Sequence, residues 1–500
     1  FQRVSPIHIS PHDENVIYHR SQFLHKTTDG GENWEQISPD ITEFDPSKQV
    51  ISGAPITRDI TGEEFYSTIY SIRESRLKEG QIWVGSNDGL VHMTENGGTS
   101  WKNVTPKNVP GGGRVDSVEP SKHDPNTAYI TILRYQLGDW APHIYKTKDK
   151  GETWELIVKG IPNNYPVRVV REDPIREGLL FAGTEFGMYL SKDAGDSWTE
   201  FQKNLPITPI TDLKIHRNDL VLSTMGRSFW ILDDIQFLRT DVNPAQPTLI
   251  IPNETVRFRY RLPRSKVNEY LTPGVFITYY LNKKEYENAS ISIFDEEGKM
   301  INSYTNESEA EEDTNEYNMQ LSKFTVIKTS NVTRNKGYNR FRWDLRHQGI
   351  IGSEKGKNLR GPLVKPGKYK VQLAVDQRPI LTEEFIVLKD PNADTPDAAL
   401  EQLEEFQLKL VDKIKEANQL AEEINLSISK KKSKKRKSAS LKRTLGQLET
   451  KEGTYRQPML INQLRYLYGM TTRADQALGQ DAYDRFAELT AQFDEIKKQL

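Results

Sequence analysis

One short hairpin signature is written four times in this chain. KTTDGGENW ends at Trp34, MTENGGTSW at Trp101, KTKDKGETW at Trp154 and SKDAGDSW at Trp198. A turn specified this closely and repeated restricts the fold to copies of one β unit. Asp29, Asp149 and Asp193 open the turn, where a carboxylate can accept backbone N–H bonds. Gly31, Gly98, Gly151 and Gly195 supply a positive φ. Asn33, Ser100, Thr153 and Ser197 precede the tryptophan and can bond the acid or the loop. Trp34, Trp101, Trp154 and Trp198 are expected to cover the hairpin with a large apolar face. In the second box Asn96 replaces the acid, keeping the acceptor and losing the charge. A position that tolerates this exchange is no general acid, so the boxes read as structural staples.

The repeat is longer than its box. Units open with SPHDENVIY (Ser10–Tyr18), SKHDPNTAY (Ser121–Tyr129) or REDPIREGLLF (Arg171–Phe181), each a turn carrying Asp followed by an apolar strand. A short strand, the box and a strand such as WEQIS or WELIV follow. Tryptophan spacings are 67, 53 and 44 residues. Four strands per unit of this length predict a propeller blade; a β-solenoid is the competing architecture. Strand alternation excludes helical repeats. His12 and His123 occupy equivalent positions before Asp13 and Asp124, which is repeat grammar rather than a metal pair.

The S/T-x-D-x-G-x-T-W box resembles the Asp-box, or bacterial neuraminidase repeat, of sialidases, two-propeller xyloglucanases and sortilin-like propellers. LSTMGRSFWILDDI (Leu222–Ile235), TEFGMYLSKDAGDSW and SPHDENVIY resemble the large secreted bacterial sortilin-like group often labelled glycosyl hydrolase. The resemblance covers essentially the whole chain and implies its C-terminal half of such a protein, with further blades upstream. The chain itself supplies about five units, which could also close a small ring.

From about 241 to 390 strands alternate with period two, as in YNRFRWDLRH and GKYKVQLAV. This region resembles the immunoglobulin-like sandwich that follows such propellers. The acidic run Asn306–Glu316 reads as a solvated loop. From 391 to 500 the period becomes helical, with Leu400, Leu403, Phe406, Leu410 and Ile414 on one stripe, so a helical hairpin or bundle is expected. The basic run Lys430–Arg443 reads as a solvated loop between helices. The predicted class is therefore mainly β: propeller blades over 1–240, a sandwich over 241–390 and a helical domain over 391–500.

Sixty-eight Lys+Arg against 70 Asp+Glu give a net charge of −2, so no global field favours nucleic acid. Without cysteine there is no thiol chemistry, disulfide or zinc-thiolate site. No apolar run is long enough to span a membrane. Neither metal nor cofactor is expected, and PGGGR (Pro110–Arg114) lacks the strand–helix context of a phosphate loop.

Glycan hydrolysis needs two carboxylates facing one sugar. Candidates near inner strands or blade-top loops are Asp88, Asp116, Glu119, Asp139, Asp173 and Glu185, with Asp139, Glu185 and Asp88 foremost. Asp88 and Glu185 are expected at equivalent turns. Arg114, Arg134, Arg168 and Arg227 are available, but no neuraminidase-type arginine triad can be assembled. The insert LRYQLGDWAPH (Leu133–His143) puts Arg134, Tyr135, Asp139 and Trp140 on one loop, where Tyr135 and Trp140 could stack on a sugar, with Arg134 and Asp139 bonding its hydroxyls, or pack on the next blade. The expected function is a noncatalytic, extracytoplasmic bacterial platform for a glycan or envelope protein. A glycoside hydrolase and a sortilin-like peptide receptor are the rivals.

Overall fold

The computed structural model describes residues 5–50, 66–259, 274–283, 286–306, 332–350, 358–430, 435–451 and 456–500. Two compact units divide the chain at Arg239 and Thr240.

Among the described residues, the first unit holds five antiparallel sheets in sequence order. Sheet one is β1 (His8–Ile9), β2 (Ile17–Arg20), β3 (Leu24–Thr27) and β4 (Glu35–Gln36). Sheet two is β5 (Ile69–Glu74), β6 (Ile82–Ser86), β7 (Val91–Thr94) and β8 (Lys102–Asn103). Sheet three is β9 (Arg114–Pro120), β10 (Ala128–Leu133), β11 (Ile144–Thr147) and β12 (Glu155–Leu156). Sheet four is β13 (Val167–Glu172), β14 (Leu180–Thr184), β15 (Gly187–Ser191) and β16 (Thr199–Glu200). Sheet five has three strands, β17 (Ile210–His216), β18 (Asp219–Thr224) and β19 (Phe229–Leu232), followed by α1 (Gln236–Arg239).

First strands of successive sheets lie against one another, so β5, β9, β13 and β17 are axial and the two-residue fourth strands are peripheral. Each pair of neighbouring sheets shares one core. Leu24 packs with Ile69, Ile72 and Ile82; Trp83, Val91 and Met93 pack with Val115, Val118 and Ile130. Ile144 packs with Val167, Val170 and Leu180; Met188 and Leu190 pack with Ile210, Leu213 and Leu220. Fully burying such a side chain stabilises by roughly 1.5–3 kcal/mol.

Strand register makes Phe229 and Ile231 of sheet five the counterparts of Met188 and Leu190. Yet Phe229 and Ile231 are 78% and 59% exposed, against 2% and 6% for Met188 and Leu190. Sheet five thus repeats a sheet-binding face and leaves it open. Ile7, beside β1, is 66% exposed at the other end of the series.

Every box turn joins the third strand to the fourth. In box three Asp149 accepts from the Thr147 hydroxyl, the Thr153 N–H and the Thr153 hydroxyl at 2.8, 2.9 and 2.6 Å. Asp29 and Asp193 make the same set with Thr27 and Asn33, and with Ser191 and Ser197. Asn96 keeps the geometry with Thr94 and Ser100. The tryptophans do more than cover their own hairpin. Trp101, Trp154 and Trp198 donate to the carbonyls of Ile37, Val104 and Ile157 in the preceding sheet, at 2.9, 2.7 and 2.8 Å. A Cβ on Gly98, Gly151 or Gly195 would lie 2.4–2.6 Å from those same three residues, and all three glycines have positive φ. Trp34 instead donates to Gly31 of its own turn and is 46% exposed.

The second unit joins two sheets to helices. One sheet runs β20 (Thr248–Ile250), β22 (Val275–Leu281), β25 (Gly337–Trp343); the other runs β21 (Glu254–Arg257), β27 (Arg378–Lys389), β26 (Gly367–Val375), β23 (Ala289–Asp295), β24 (Met300–Thr305). Side chains from both, among them Ile277, Trp343, Ile291, Val371 and Phe385, share one core. The helices are α2 (Asp397–Lys430), α3 (Lys435–Leu448), α4 (Leu460–Thr471) and α5 (Gln480–Lys497). The stripe Leu400, Leu403, Phe406, Leu410, Ile414 is buried. Arg257 is clamped by Asp475 with 2.7 and 2.9 Å bonds, and His347 meets Glu404 at 2.6 Å.

The acidic run lies outside the described residues from 307 onward. The basic run is not all loop. From Lys435 it is helical, because Lys, Arg and Ala are good helix formers and Leu441, Leu445 and Leu448 supply a packed stripe.

Candidate functional site

Strand direction sorts the turns into two ends. The boxes sit at one end together with the turns carrying His12 and His123. Each of those rings meets a carbonyl of the next sheet, Ser75 or Asp173, at 2.8 Å. The opposite end gathers the Arg134–His143 loop, the Pro110–Gly113 loop and the turns holding Asp88 and Glu185.

Four axial strands carry a β-bulge at the same place, beside this loop end. The bulged residues are Tyr70, Asp116, Arg168 and Thr211. A bulge re-aims its side chain, and here three of the four become one charged cluster. Asp116 takes a bidentate contact from Arg114, with Nη2 at 2.9 Å, and lies 3.8 Å from Arg168. Arg168 Nη2 is 2.6 Å from Glu185 Oε1, although off the axis of a hydrogen bond. One guanidinium therefore bridges the two carboxylates. Arg114 stacks over Tyr70 at 4.3 Å and Arg168 lies 6.0 Å from the Tyr135 ring. Burial pushes the Asp116 carboxyl above its ordinary value, against the pull of Arg114 and Arg168.

Asp139 is tied into its own loop. Its Oδ2 accepts from Arg134 Nε and lies 2.9 Å from His143 Nε2, while Oδ1 accepts the Ala141 N–H at 3.0 Å. Burial alone would raise its pKa; the bonds from Ala141, His143 and Arg134 outweigh that and hold it low. Arg134 is buried and donates to the carbonyls of Pro110, Gly111 and Gly112 at 2.7, 3.1 and 2.6 Å. PGGGR is thus an arginine cradle of acceptors, the opposite polarity to a phosphate loop. Tyr135 and Trp140 form a tilted pair 5.6 Å apart, with Trp140 48% exposed. A cleft of about 320 Å³ opens on the same end, lined by Glu43, Lys48, Tyr66, Gly111, Gly112 and Leu137.

The remaining candidates are structural or remote. Asp88 is buried, bonded to the Ser86 hydroxyl and, at 2.9 Å, to the Glu43 N–H. Nor is Asp88 the counterpart of Glu185. The counterpart is Asn87, since Asn87 and Glu185 each donate their N–H back to the residue before the axial strand pair, Thr68 and Pro166. In register the turn after β6 is one residue longer than that after β14, since five residues separate Gly85 from Val91 and four separate Gly183 from Met188, which the shared Gly concealed. Asp173 is fully buried against Arg239 and caps the N–H groups of Ile175 and Arg176. Glu119 pairs with Lys122 at 2.9 Å further along the axis. Arg227 is exposed on sheet five.

No family model matches the chain. A probable oligoxyloglucan-reducing end-specific xyloglucanase of Neosartorya fischeri is 25% identical over 259 residues, which is 45% of this chain and 30% of that protein. The chain thus spans less than a third of the length of that relative. Among solved structures, the GH74 xyloglucanase of Xanthomonas campestris has 18% identity and a TM-score of 0.34, covering 46% of this chain and 36% of that one. PorZ, described as a bacterial surface component of the type-IX secretion system of Porphyromonas gingivalis, has 12% identity and a TM-score of 0.34, covering 77% and 51%. Activity does not transfer across likenesses of this depth and has to be read from the side chains.

Proposed function

We propose that the chain is a noncatalytic binding platform for a glycan or an envelope protein, outside the bacterial cytoplasm. Its recognition surface is the loop end, with Tyr135 and Trp140 stacking on a ring and Arg134 and Asp139 shaping the loop beneath them. The observation that carries this reading is the exposed Trp140 paired with the half-buried Tyr135 over an internally bonded loop. Asp139 and Asp88 hold both of their oxygens on neighbouring donors of the fold, which suits a structural role. Rigid loops on a sheet scaffold suit binding.

The open face at Phe229 and Ile231 supports completion of the propeller by further blades of the same protein. The second unit, read as an immunoglobulin-like sandwich followed by a helical domain, serves as spacer or docking surface. Titration calorimetry with xyloglucan oligosaccharides tests the glycan form: Tyr135→Ala and Trp140→Ala should each weaken binding about tenfold, since a stacked ring contributes ~0.5–1.5 kcal/mol beyond the apolar area it buries. Binding by wild type that both variants retain would place recognition elsewhere.

One observation favours the hydrolase reading. Asp116 and Glu185 share the Arg168 guanidinium, and burial raises the Asp116 pKa. Such a pair could divide acid and base roles on a sugar.

A further inference from the structure

We propose that Arg73 and Arg171 form an oxyanion site on the axial strands, taking a carboxylate, sulfate or phosphate group of a ligand. The site is separate from the loop-end surface and holds or fails independently of it.

The register is the first observation. Three residues after each bulge, the axial strands carry Arg73, Glu119, Arg171 and Lys214, so one ionisable side chain per sheet falls at the same level. Apolar residues flank that level in the intersheet cores, where an uncompensated charge is costly.

The charges at this level do not balance. Glu119 is 2.9 Å from Lys122 and 3.7 Å from Arg171. Asp212 is 2.8 Å from Arg171, which also donates to the Ser117 hydroxyl. Both carboxylates therefore already hold a cation. Among the described residues, no hydrogen bond or ion pair reaches the Arg73 guanidinium. Burial, then the like charge of Arg171, lowers its pKa, against the pull of Glu119 and Asp212. His8 is no counter-ion: its Nε2 accepts the Glu74 N–H at 3.0 Å, and burial together with Arg73 lowers its pKa to about 3. Arg73, half-buried and without a counter-ion among the described residues, and Arg171, buried, stand at one level of the axial strands and offer the planar forks that oxyanions bind.

Thermal unfolding of the whole chain in sodium sulfate, phosphate or galacturonate, against sodium chloride at equal ionic strength, tests the site. The wild type should gain about 3 °C or more over Arg73→Met in at least one of these anions. An exposed control, Arg378→Met, should behave as wild type. Galacturonate alone would identify a carboxylate ligand; sulfate or phosphate alone would identify a tetrahedral one. In chloride, Arg73→Met should melt no lower than wild type, because it removes a repulsion. Equal gains in wild type and Arg73→Met, or a lower melting point for Arg73→Met in chloride, would overturn the proposal.

Discussion

The indole N–H of Trp154 donates to the carbonyl of Val104, 2.7 Å away in the preceding sheet. The box thus fastens one sheet to another as well as closing its own turn. Loss of a net hydrogen bond costs about 1 kcal/mol. Trp154→Phe should therefore destabilise the first unit by about that amount in urea, whereas Trp34→Phe, whose bond stays within its own exposed turn, should cost less. Equal losses at both sites would argue against the fastening role.

Met188 and Phe229 hold the same register position on sheets four and five, one buried and one exposed. Met188→Ala should cost about 2–5 kcal/mol. Phe229→Ala should change stability by no more than about 0.5 kcal/mol in this chain. A large loss at Phe229 would mean that its face is already covered.

How much of this was legible in the residues depended on distance along the chain. Asp, Gly and Trp specify a turn locally, so the box and the blade period could be read directly. The partners Ile37, Val104 and Ile157 lie more than forty residues from their tryptophans, and nothing local announces them. The bulges at Tyr70, Asp116, Arg168 and Thr211 have no residue signature, so Asp116 and Arg168 were visible only as members of a long roster. The sequence offers Arg134 as a donor to a sugar hydroxyl; its cradle becomes apparent only when the carbonyls of Pro110, Gly111 and Gly112 converge on it.

The box acids predict an acid limb. The Thr153 hydroxyl, then its N–H, hold Asp149 below the usual carboxylate range; at Asp193 burial opposes the shift, but the bonds from Ser197 and Ser191 prevail. A depressed folded-state pKa contributes stability that is complete above the unfolded value of about 3.9 and is lost as pH falls through the folded value. Asp149→Asn, copying Asn96, should flatten the pH dependence of the melting temperature below about pH 4. An unchanged acid limb in the Asp149→Asn/Asp193→Asn double variant would remove these carboxylates from the account.

Asp475 neutralises Arg257, whose side chain is 2% exposed. Asp475→Ala should destabilise the second unit by about 3–5 kcal/mol, because it strands a buried charge. Calorimetry should show that unit melting earlier, with the first unit's transition unmoved. A silent variant would mean that water reaches Arg257.

The most direct test of a noncatalytic platform is reducing-end release from xyloglucan by the purified chain. No release above the buffer blank is predicted for wild type, Asp116→Asn or Glu185→Gln. Release by wild type that disappears in both variants would make the Arg168-bridged carboxylates a catalytic pair and contradict the account.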